Sequence, residues 1–310
     1  MKPMFLACLL ALVAALQPLP AQADGPSSSA GGGGIYLSSD SDDFSSRRWS
    51  ADLMGSHRHL DQRTGLRYTD YAFSRNQWRG SAQQLKFVTQ QIDPVSRDGW
   101  SLEGGLFRQP AHDLFTLDAS YRTTLSPSAA IEIFGTRDFI ETVTALERNL
   151  HFDFIGSAVD YLPHPAVTMV GMLGHQGFSD GNQRRHARGK LIYQPAPDLG
   201  LTLQLRYRYF DSSEAFVDRA YFNPTRYDEG MLAAGFRQRV AGWRTALTAG
   251  LGRQRVNDDP QTGTWLFEAG AERQQAGMGI RLRAAVMRSS SFGGPDYTYR
   301  YISGDLLIPF

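Results

Sequence analysis

The sequence predicts an all-β fold, a single-domain transmembrane antiparallel up-and-down β-barrel. Three observations support this prediction. Apolar and polar residues alternate in one segment after another, and a period of two is typical of a strand with two unlike faces. Short and long connections alternate between these segments, as they do between the two rims of a membrane barrel. After residue 23 no run of about eighteen apolar residues occurs, which excludes a helical membrane span.

The first 23 residues have the composition of a cleavable signal peptide. Lys2 supplies the positive charge, residues 5–16 form an apolar segment, and Ala21-Gln22-Ala23 has the small-x-small pattern of a cleavage site. We expect cleavage after Ala23 and export to the bacterial outer membrane. Residues 24–34 (DGPSSSAGGGG) are expected to form a flexible periplasmic lead because they are rich in glycine and serine. The barrel is therefore expected to span residues 35–310.

Charge and cysteine content exclude several other classes of protein. The chain has 32 basic and 31 acidic residues, so it has no basic excess that would indicate a nucleic-acid partner. Its one cysteine, Cys8, lies in the targeting segment, so a disulfide framework is excluded. The mean hydropathy of −0.34 agrees with a barrel, whose polar lumen face offsets its lipid face. No cofactor is predicted.

The period-two pattern predicts sixteen strands. A barrel of fourteen remains an alternative if the first pair, within 33–56, is misread. The predicted strands are 33–41, 44–56, 64–74, 78–92, 99–109, 113–125, 128–140, 149–162, 165–177, 185–195, 199–211, 228–240, 242–256, 263–275, 278–290 and 297–310.

The connections predict which end of the barrel faces the periplasm. Short, proline- or glycine-containing turns are expected on the periplasmic side and longer polar loops outside. The short turns are 126–128, 163–165, 195–198, 241–242 and 275–277, and the long loops are 177–184, 212–227, 257–262 and 290–296.

The charged face of each strand is expected to line the lumen. In 199–211, Leu203 and Leu205 share one face and Arg206 and Arg208 the other. An arginine that faces lipid at the membrane midplane costs about 2–4 kcal/mol, so the charged face must point inward. The candidate pore-lining residues are Arg122, Arg206, Arg208, Arg237, Arg239, Arg281, Arg283, Glu103, Asp118, Glu132, Glu268 and Asp305.

Two interpretations of this charged wall remain open. One is a hydrated conduit whose charges set solute preference, with a slight preference for anionic or neutral polymers. The other is a lumen filled and rigidified by ion pairs, since buried charges require partners.

The last strand carries a separate signal. Counting back from Phe310, Ile308 and Leu306 lie on its apolar face. A terminal strand that ends in an aromatic residue resembles that of bacterial outer-membrane barrels, in which it is read by the barrel-assembly machinery. Phe310, Ile308 and Leu306 are therefore the expected assembly signal. Pro309 has no N–H to donate, so strand pairing is expected to finish just before the chain end.

Two histidine patterns are candidate chemical sites. His175 and Ser179 in HQGFSDGN resemble the His-x-Ser pair of barrel lipid hydrolases, where the imidazole activates the serine. Their spacing is four rather than two, so a lipid hydrolase is the less favoured alternative and no catalytic residue is predicted. His57 and His59 could share a strand face, but the sequence offers no third ligand and no metal is predicted.

Three segments are similar to the C-terminal barrel of exopolysaccharide-export porins, which secrete poly-N-acetylglucosamine or cellulose, and to YaiO-type barrels. They are GLRYTDYAFS (65–74), FSDGNQRRHARGKLIYQPAPDLGLTLQLRYRYFDS (178–212) and YFNPTRYDEGMLAAGFR (221–237). The resemblance implies a sixteen-stranded barrel in outer-membrane lipid through which a polysaccharide leaves the cell, without chemistry of its own.

One feature departs from those export porins, which carry tetratricopeptide repeats before the barrel. No 34-residue period occurs in this sequence. The scaffold is therefore expected to be absent or to lie on another chain, and the expected partners are a polysaccharide and a separate periplasmic scaffold or inner-membrane synthase. The alternative is a stand-alone structural or interaction barrel with a plugged lumen.

Overall fold

The computed structural model describes residues 28–289 and 297–310. The predicted signal peptide, its cleavage after Ala23 and the whole of the predicted 290–296 loop lie outside the described residues. Within the described ranges, no helix is both long and apolar enough to cross a membrane.

Sixteen strands form, so the predicted strand number is confirmed and the fourteen-strand alternative is wrong. A five-residue helix, α1 (Val143–Glu147), and a 3-10 turn at Pro197–Leu199 lie between them. The strands are β1 (Ser28–Asp40), β2 (Phe44–His59), β3 (Gln62–Arg75), β4 (Trp78–Ile92), β5 (Gly99–Arg108), β6 (Asp113–Ser126), β7 (Ala129–Phe139), β8 (His151–His164), β9 (Val167–Phe178), β10 (Gln183–Ala196), β11 (Leu201–Ser212), β12 (Arg226–Val240), β13 (Trp243–Val256), β14 (Thr262–Gln275), β15 (Met278–Arg288) and β16 (Thr298–Pro309).

The strands close into one antiparallel barrel. Each strand pairs with its neighbours in the sequence, and β1 pairs with β16 to complete the ring. Ser28 and Phe310 lie at the same end, which we call the terminal rim, and the opposite end is the loop rim. The terminal rim has two-residue turns such as 241–242, whereas the longest described connections, 140–150 and 213–225, lie at the loop rim. This asymmetry agrees with the predicted alternation.

The glycine segment belongs to β1 and not to the predicted flexible lead. Strand β1 begins at Ser28, and Gly31 to Gly34 pair with both β2 and β16. A Cβ atom on Gly32 would lie 2.0 Å from the Leu306 carbonyl oxygen, and one on Gly33 would lie 2.2 Å from that of Ser50. Glycine is required here because the neighbouring backbones approach too closely for any side chain.

Pairing of the last strand also extends further than expected. The backbone N–H of Phe310 donates to the Ser29 carbonyl at 2.9 Å, beyond Pro309. On the other side of β16, pairing with β15 ends at Leu307. Pro309 therefore lies past the end of the β15 ladder, so its missing N–H costs no ladder bond there.

The outer surface of the barrel is apolar. Side chains of alternate strand residues are exposed there, including Leu173 (68%), Leu232 (69%) and Leu251 (73%). The expected assembly residues Phe310, Ile308 and Leu306 also lie exposed in this set. An apolar surface that continues around the barrel matches hydrocarbon better than water.

A set of contacts at the terminal rim, which we call the seam clasp, crosses the junction of β1 and β16. It joins residues 57–61 of the β2–β3 hairpin to residues 274–281 of the β14–β15 hairpin. His57 Nε2 lies 2.7 Å from the Gly277 carbonyl oxygen, and Arg281 donates to Asp61 at 3.0 Å. Leu60 packs beneath with Leu307.

Asp61 in the seam clasp stays ionised although it is partly buried. Burial raises its pKa, but hydrogen bonds and charges from Arg97 and Arg281 outweigh that effect and hold the pKa below its usual value. The clasp therefore keeps a charged acceptor at the seam at neutral pH.

We expect Gly33→Ala to lower the fraction of closed barrel, because the added Cβ would meet the Ser50 carbonyl oxygen at 2.2 Å and disturb the pairing of β1 with β2. The fraction of heat-modifiable, folded barrel on unheated gels measures closure. Gly31→Ala is the matched control, since its Cβ would meet only the Phe310 ring at an ordinary 3.5 Å. Equal folded fractions for the two variants would contradict the requirement for glycine at position 33.

Candidate functional site

All twelve candidate pore-lining residues lie on the inner face of the barrel. Residues in register share a face, and the register links Asp305 to Arg281, Arg281 to Glu272, and Glu272 to Arg244. Ion pairs that span an intervening strand fix this face as the interior: Arg122 on β6 reaches Asp160 on β8 at 2.6 Å. The register places the other candidates on the same face, namely Arg206, Arg208, Arg237, Arg239, Arg283, Glu103, Asp118, Glu132 and Glu268.

On the β2–β5 side, the lumen wall is a network of ion pairs. Arg67 donates to Asp52 at 2.6 Å and to Asp305 at 3.4 Å, and the Asp52 side chain has no exposed surface. Lys86 and Arg63 share Glu103 at 3.7 and 3.9 Å. This sector corresponds to the interlocked wall of ion pairs, because every one of these cations has a carboxylate partner.

An aromatic cluster fills the same side of the lumen near the loop rim. Its rings come from β2, β3, β5 and β7, and Phe107 stacks on Phe139 at 4.1 Å between centroids. Leu146 of α1 packs against this cluster, and Trp78 donates to Glu147 at 2.8 Å. The buried members are Phe44, Tyr71, Phe73, Ala82, Phe107, Leu114, Phe139 and Leu146.

Two loops meet across the mouth at the loop rim and form what we call the loop lid, residues 140–150 and 213–225. Thr142 caps α1 by accepting from the Ala145 N–H at 3.2 Å, and its hydroxyl donates to the Ala220 carbonyl oxygen. Arg148 forms an ion pair with Asp218. Sequence reasoning missed α1 and the lid because both depend on contacts between distant segments.

Tyr221 anchors the lid to the 179–182 turn. Its hydroxyl donates to Asp180 at 2.8 Å, and its ring stacks on Phe178 at 4.5 Å between centroids. Burial raises the pKa of Tyr221 well above its ordinary value, and the hydrogen bond and charge of Asp180 raise it further. The phenol therefore stays protonated and remains a donor across the physiological range.

Open space follows the β7–β15 side of the lumen. A cavity of about 880 Å³ meets a second of about 480 Å³ towards the loop rim. The residues that line both are Phe152, Gln176, His186, Arg188, Arg208 and Met287. A third cavity of about 460 Å³ at the terminal rim is lined by arginines that include Arg237, Arg239 and Arg283. Among the described residues it shares no lining residue with the other two.

Sequence reasoning overlooked part of the basic wall of the cavities of about 880 and 480 Å³. Arg184, His186 and Arg188 lie on the inner face of β10 with Lys190. The signal was present in the sequence, because a basic residue occurs at every second position from Arg184 to Lys190.

The histidine and serine weighed as a catalytic pair are not brought together. Ser179 Oγ accepts from the His151 backbone N–H at 3.1 Å. His175 lies in register with Arg185, on the outer face of the barrel. No hydrogen bond joins His175 to Ser179 in the described part of the chain. Of the other two candidate histidines, His57 and His59, His57 belongs to the seam clasp.

Solved structures share this fold. A bacterial polysaccharide outer-membrane secretin matches with a TM-score of 0.66 at 11% identity over 93% of this chain and 100% of that chain. OccK5 (OpdH) of Pseudomonas aeruginosa gives 0.45 at 11% identity over 92% and 98% of the two chains. OprD of Pseudomonas aeruginosa gives 0.44 at 10% identity over 95% and 96%. The predicted resemblance to a polysaccharide-export barrel is thus confirmed at the level of fold.

No protein-family profile and no curated protein matches the chain.

We expect Arg67→Gln to lower the free energy of unfolding by about 3–5 kcal/mol, because it leaves the buried Asp52 carboxylate without its partner. Urea unfolding of the barrel in lipid vesicles measures the change. Arg137→Gln is the matched control: its ion pair with Asp153 is exposed on both sides, and its loss should cost about 1 kcal/mol or less. Similar losses in both variants would show that the inner network has no special role.

Proposed function

We propose that this protein is an outer-membrane barrel that serves as a conduit for export of an exopolysaccharide or related glycan, without chemistry of its own. The observation that carries the proposal is the cavity system on the β7–β15 side. Phenylalanine rings, including Phe134, Phe152 and Phe154, line it together with arginine and lysine side chains. Flat apolar rings suit the faces of sugar rings, and guanidinium and ammonium groups donate to sugar oxygens.

The fold likeness to a polysaccharide outer-membrane secretin agrees with this proposal. The proposal also includes an outer-membrane location and a signal peptide that is cleaved after Ala23. The barrel-assembly machinery would recognise Phe310, Ile308 and Leu306. A periplasmic scaffold and an inner-membrane synthase would act as separate chains.

A second function is favoured by a specific observation. The loop lid and the aromatic cluster occupy the mouth at the loop rim. Among the described residues, the cavity at the terminal rim shares no lining residue with the cavities of about 880 and 480 Å³. This arrangement suits a stand-alone structural or interaction barrel with a plugged lumen, whose loops engage surface partners.

We expect the folded barrel to form channels in planar lipid bilayers with a weak preference for anions, because the cavities are lined by cations, such as Arg188 and Arg239, that have no carboxylate partner among the described residues. The reversal potential under a salt gradient measures this preference. Clear cation selectivity would contradict the proposed preference.

The loop lid offers a way to separate the two functions. Thr142→Val with Arg148→Ala removes both polar ties between the loops and should raise channel conductance if the lid closes a conduit. Arg108→Ala, which breaks an exposed ion pair at the base of another loop-rim turn, is the control. Conductance that stays undetectable in every variant would favour the plugged barrel.

A further inference from the structure

The inner face of β10 and β11 carries four cations in a two-by-two array. Arg188 lies directly opposite Arg208, and Lys190 lies directly opposite Arg206. Directly opposed residues in a sheet have Cβ atoms about 4.5–5.5 Å apart, and like charges in such positions destabilise the sheet. Two successive like-charged pairs therefore destabilise the folded barrel, and packing does not explain why they are present. We call these four residues the cation array.

The protein compensates only half of this charge. Glu229 lies 2.9 Å from Arg208, and Glu268 lies 3.6 Å from Arg206. Within the described ranges no carboxylate lies within 4.0 Å of Arg188 or Lys190. The contrast with the β2–β5 wall is direct, because Arg63, Arg67 and Lys86 there all have carboxylate partners.

Neighbouring groups extend the array without neutralising it. Arg184, two positions from His186, donates to the Phe222 carbonyl at 2.7 Å and to Asn223 at 3.1 Å but has no carboxylate partner among the described residues. His186 is about nine-tenths buried, and its Nδ1 atom has no hydrogen-bond partner in the described structure. The site thus combines excess positive charge with an unused polar atom.

The array faces space that can hold a ligand. All four cations line the cavity of about 880 Å³, a volume within the range of small-molecule sites. Phe134 and Phe154 line the same cavity and stack on each other at 5.7 Å between centroids. A sugar ring placed in this cavity would meet aromatic surface as well as the array.

We propose that the cation array binds the acidic groups of an anionic glycan, a carboxylate or a sulfate ester on the sugar. Arginine forks match either oxyanion through paired N–H donors. Residues two apart in a strand are about 7 Å apart along it, so the two rungs of the array can engage two acidic groups of one chain. This proposal extends the proposed function and rests on it for the passage of polymer. Binding of the glycan to the cation array can be tested without passage.

The test measures equilibrium binding to the folded barrel in detergent micelles by titration calorimetry. The probes are hexagalacturonate, sulfated maltohexaose, neutral maltohexaose and a cationic chitosan hexamer. We expect at least one acidic oligomer to bind more tightly than maltohexaose, with an affinity that falls as salt rises. Tighter binding of hexagalacturonate would identify a carboxylate as the preferred oxyanion, and tighter binding of sulfated maltohexaose would identify a sulfate ester. Equal binding of maltohexaose, or preferred binding of chitosan, would overturn the proposal.

Substitutions locate the site. Arg188→Gln and Lys190→Gln should each weaken acidic-oligomer binding about tenfold, the size of one charge-assisted hydrogen bond. Both variants should fold at least as stably as the parent chain, because each removes one like-charge opposition. Arg239→Gln is the matched control, an inner-face arginine without a carboxylate partner among the described residues that lines only the terminal-rim cavity. Unchanged binding in Arg188→Gln and Lys190→Gln would overturn the assignment to the array.

The outcome separates this inference from the proposed conduit. Release of hexagalacturonate from vesicles that contain the barrel reports passage independently of calorimetry. Binding that depends on Arg188 without any release supports the array and contradicts the conduit. Release that is the same in Arg188→Gln and the parent, without measurable binding, supports the conduit and contradicts the array.

Discussion

The structure depends on the pairing of β1 with β16. Hydrocarbon offers no partner to a backbone N–H or carbonyl group, so a sheet that spans a membrane must have no free edge. The ladder from Ala30–Pro309 to Asp40–Tyr299 removes that edge. Once the ring is closed, the two-residue period leaves each strand only two directions for its side chains. The apolar exterior and the charged interior both follow from closure.

Within that interior, charge is divided between two walls. The β2–β5 wall pairs its arginines and lysine with carboxylates, as in the contact of Arg67 with Asp52 at 2.6 Å. The β10–β11 wall leaves Arg188 and Lys190 without carboxylate partners in the described structure and borders the cavity of about 880 Å³. Rigidity and binding capacity are thereby placed on different sides of one lumen, so a substitution on one wall need not disturb the other.

The period of two predicted most of the strands and the faces of their residues, because both are local properties of the chain. Leu205 and Arg206 lie on the sides that alternation requires. The partners of the charges were not predictable, since Arg67 and Asp305 are 238 positions apart. The glycines from Gly31 to Gly34 were misjudged for the same reason. Their steric role depends on the Leu306 carbonyl group, which only closure brings near, and on the Ser50 carbonyl group across the β1–β2 pair.

The seam clasp has a consequence for the lifetime of the folded barrel. Its contacts, such as His57 with Gly277, join hairpins that lie on either side of the β1–β16 pair, so they form only after the ring has closed. Interactions absent from the transition state slow unfolding and leave the folding rate almost unchanged. The clasp is therefore expected to slow unfolding: it retards the separation of β1 from β16 without hindering their pairing.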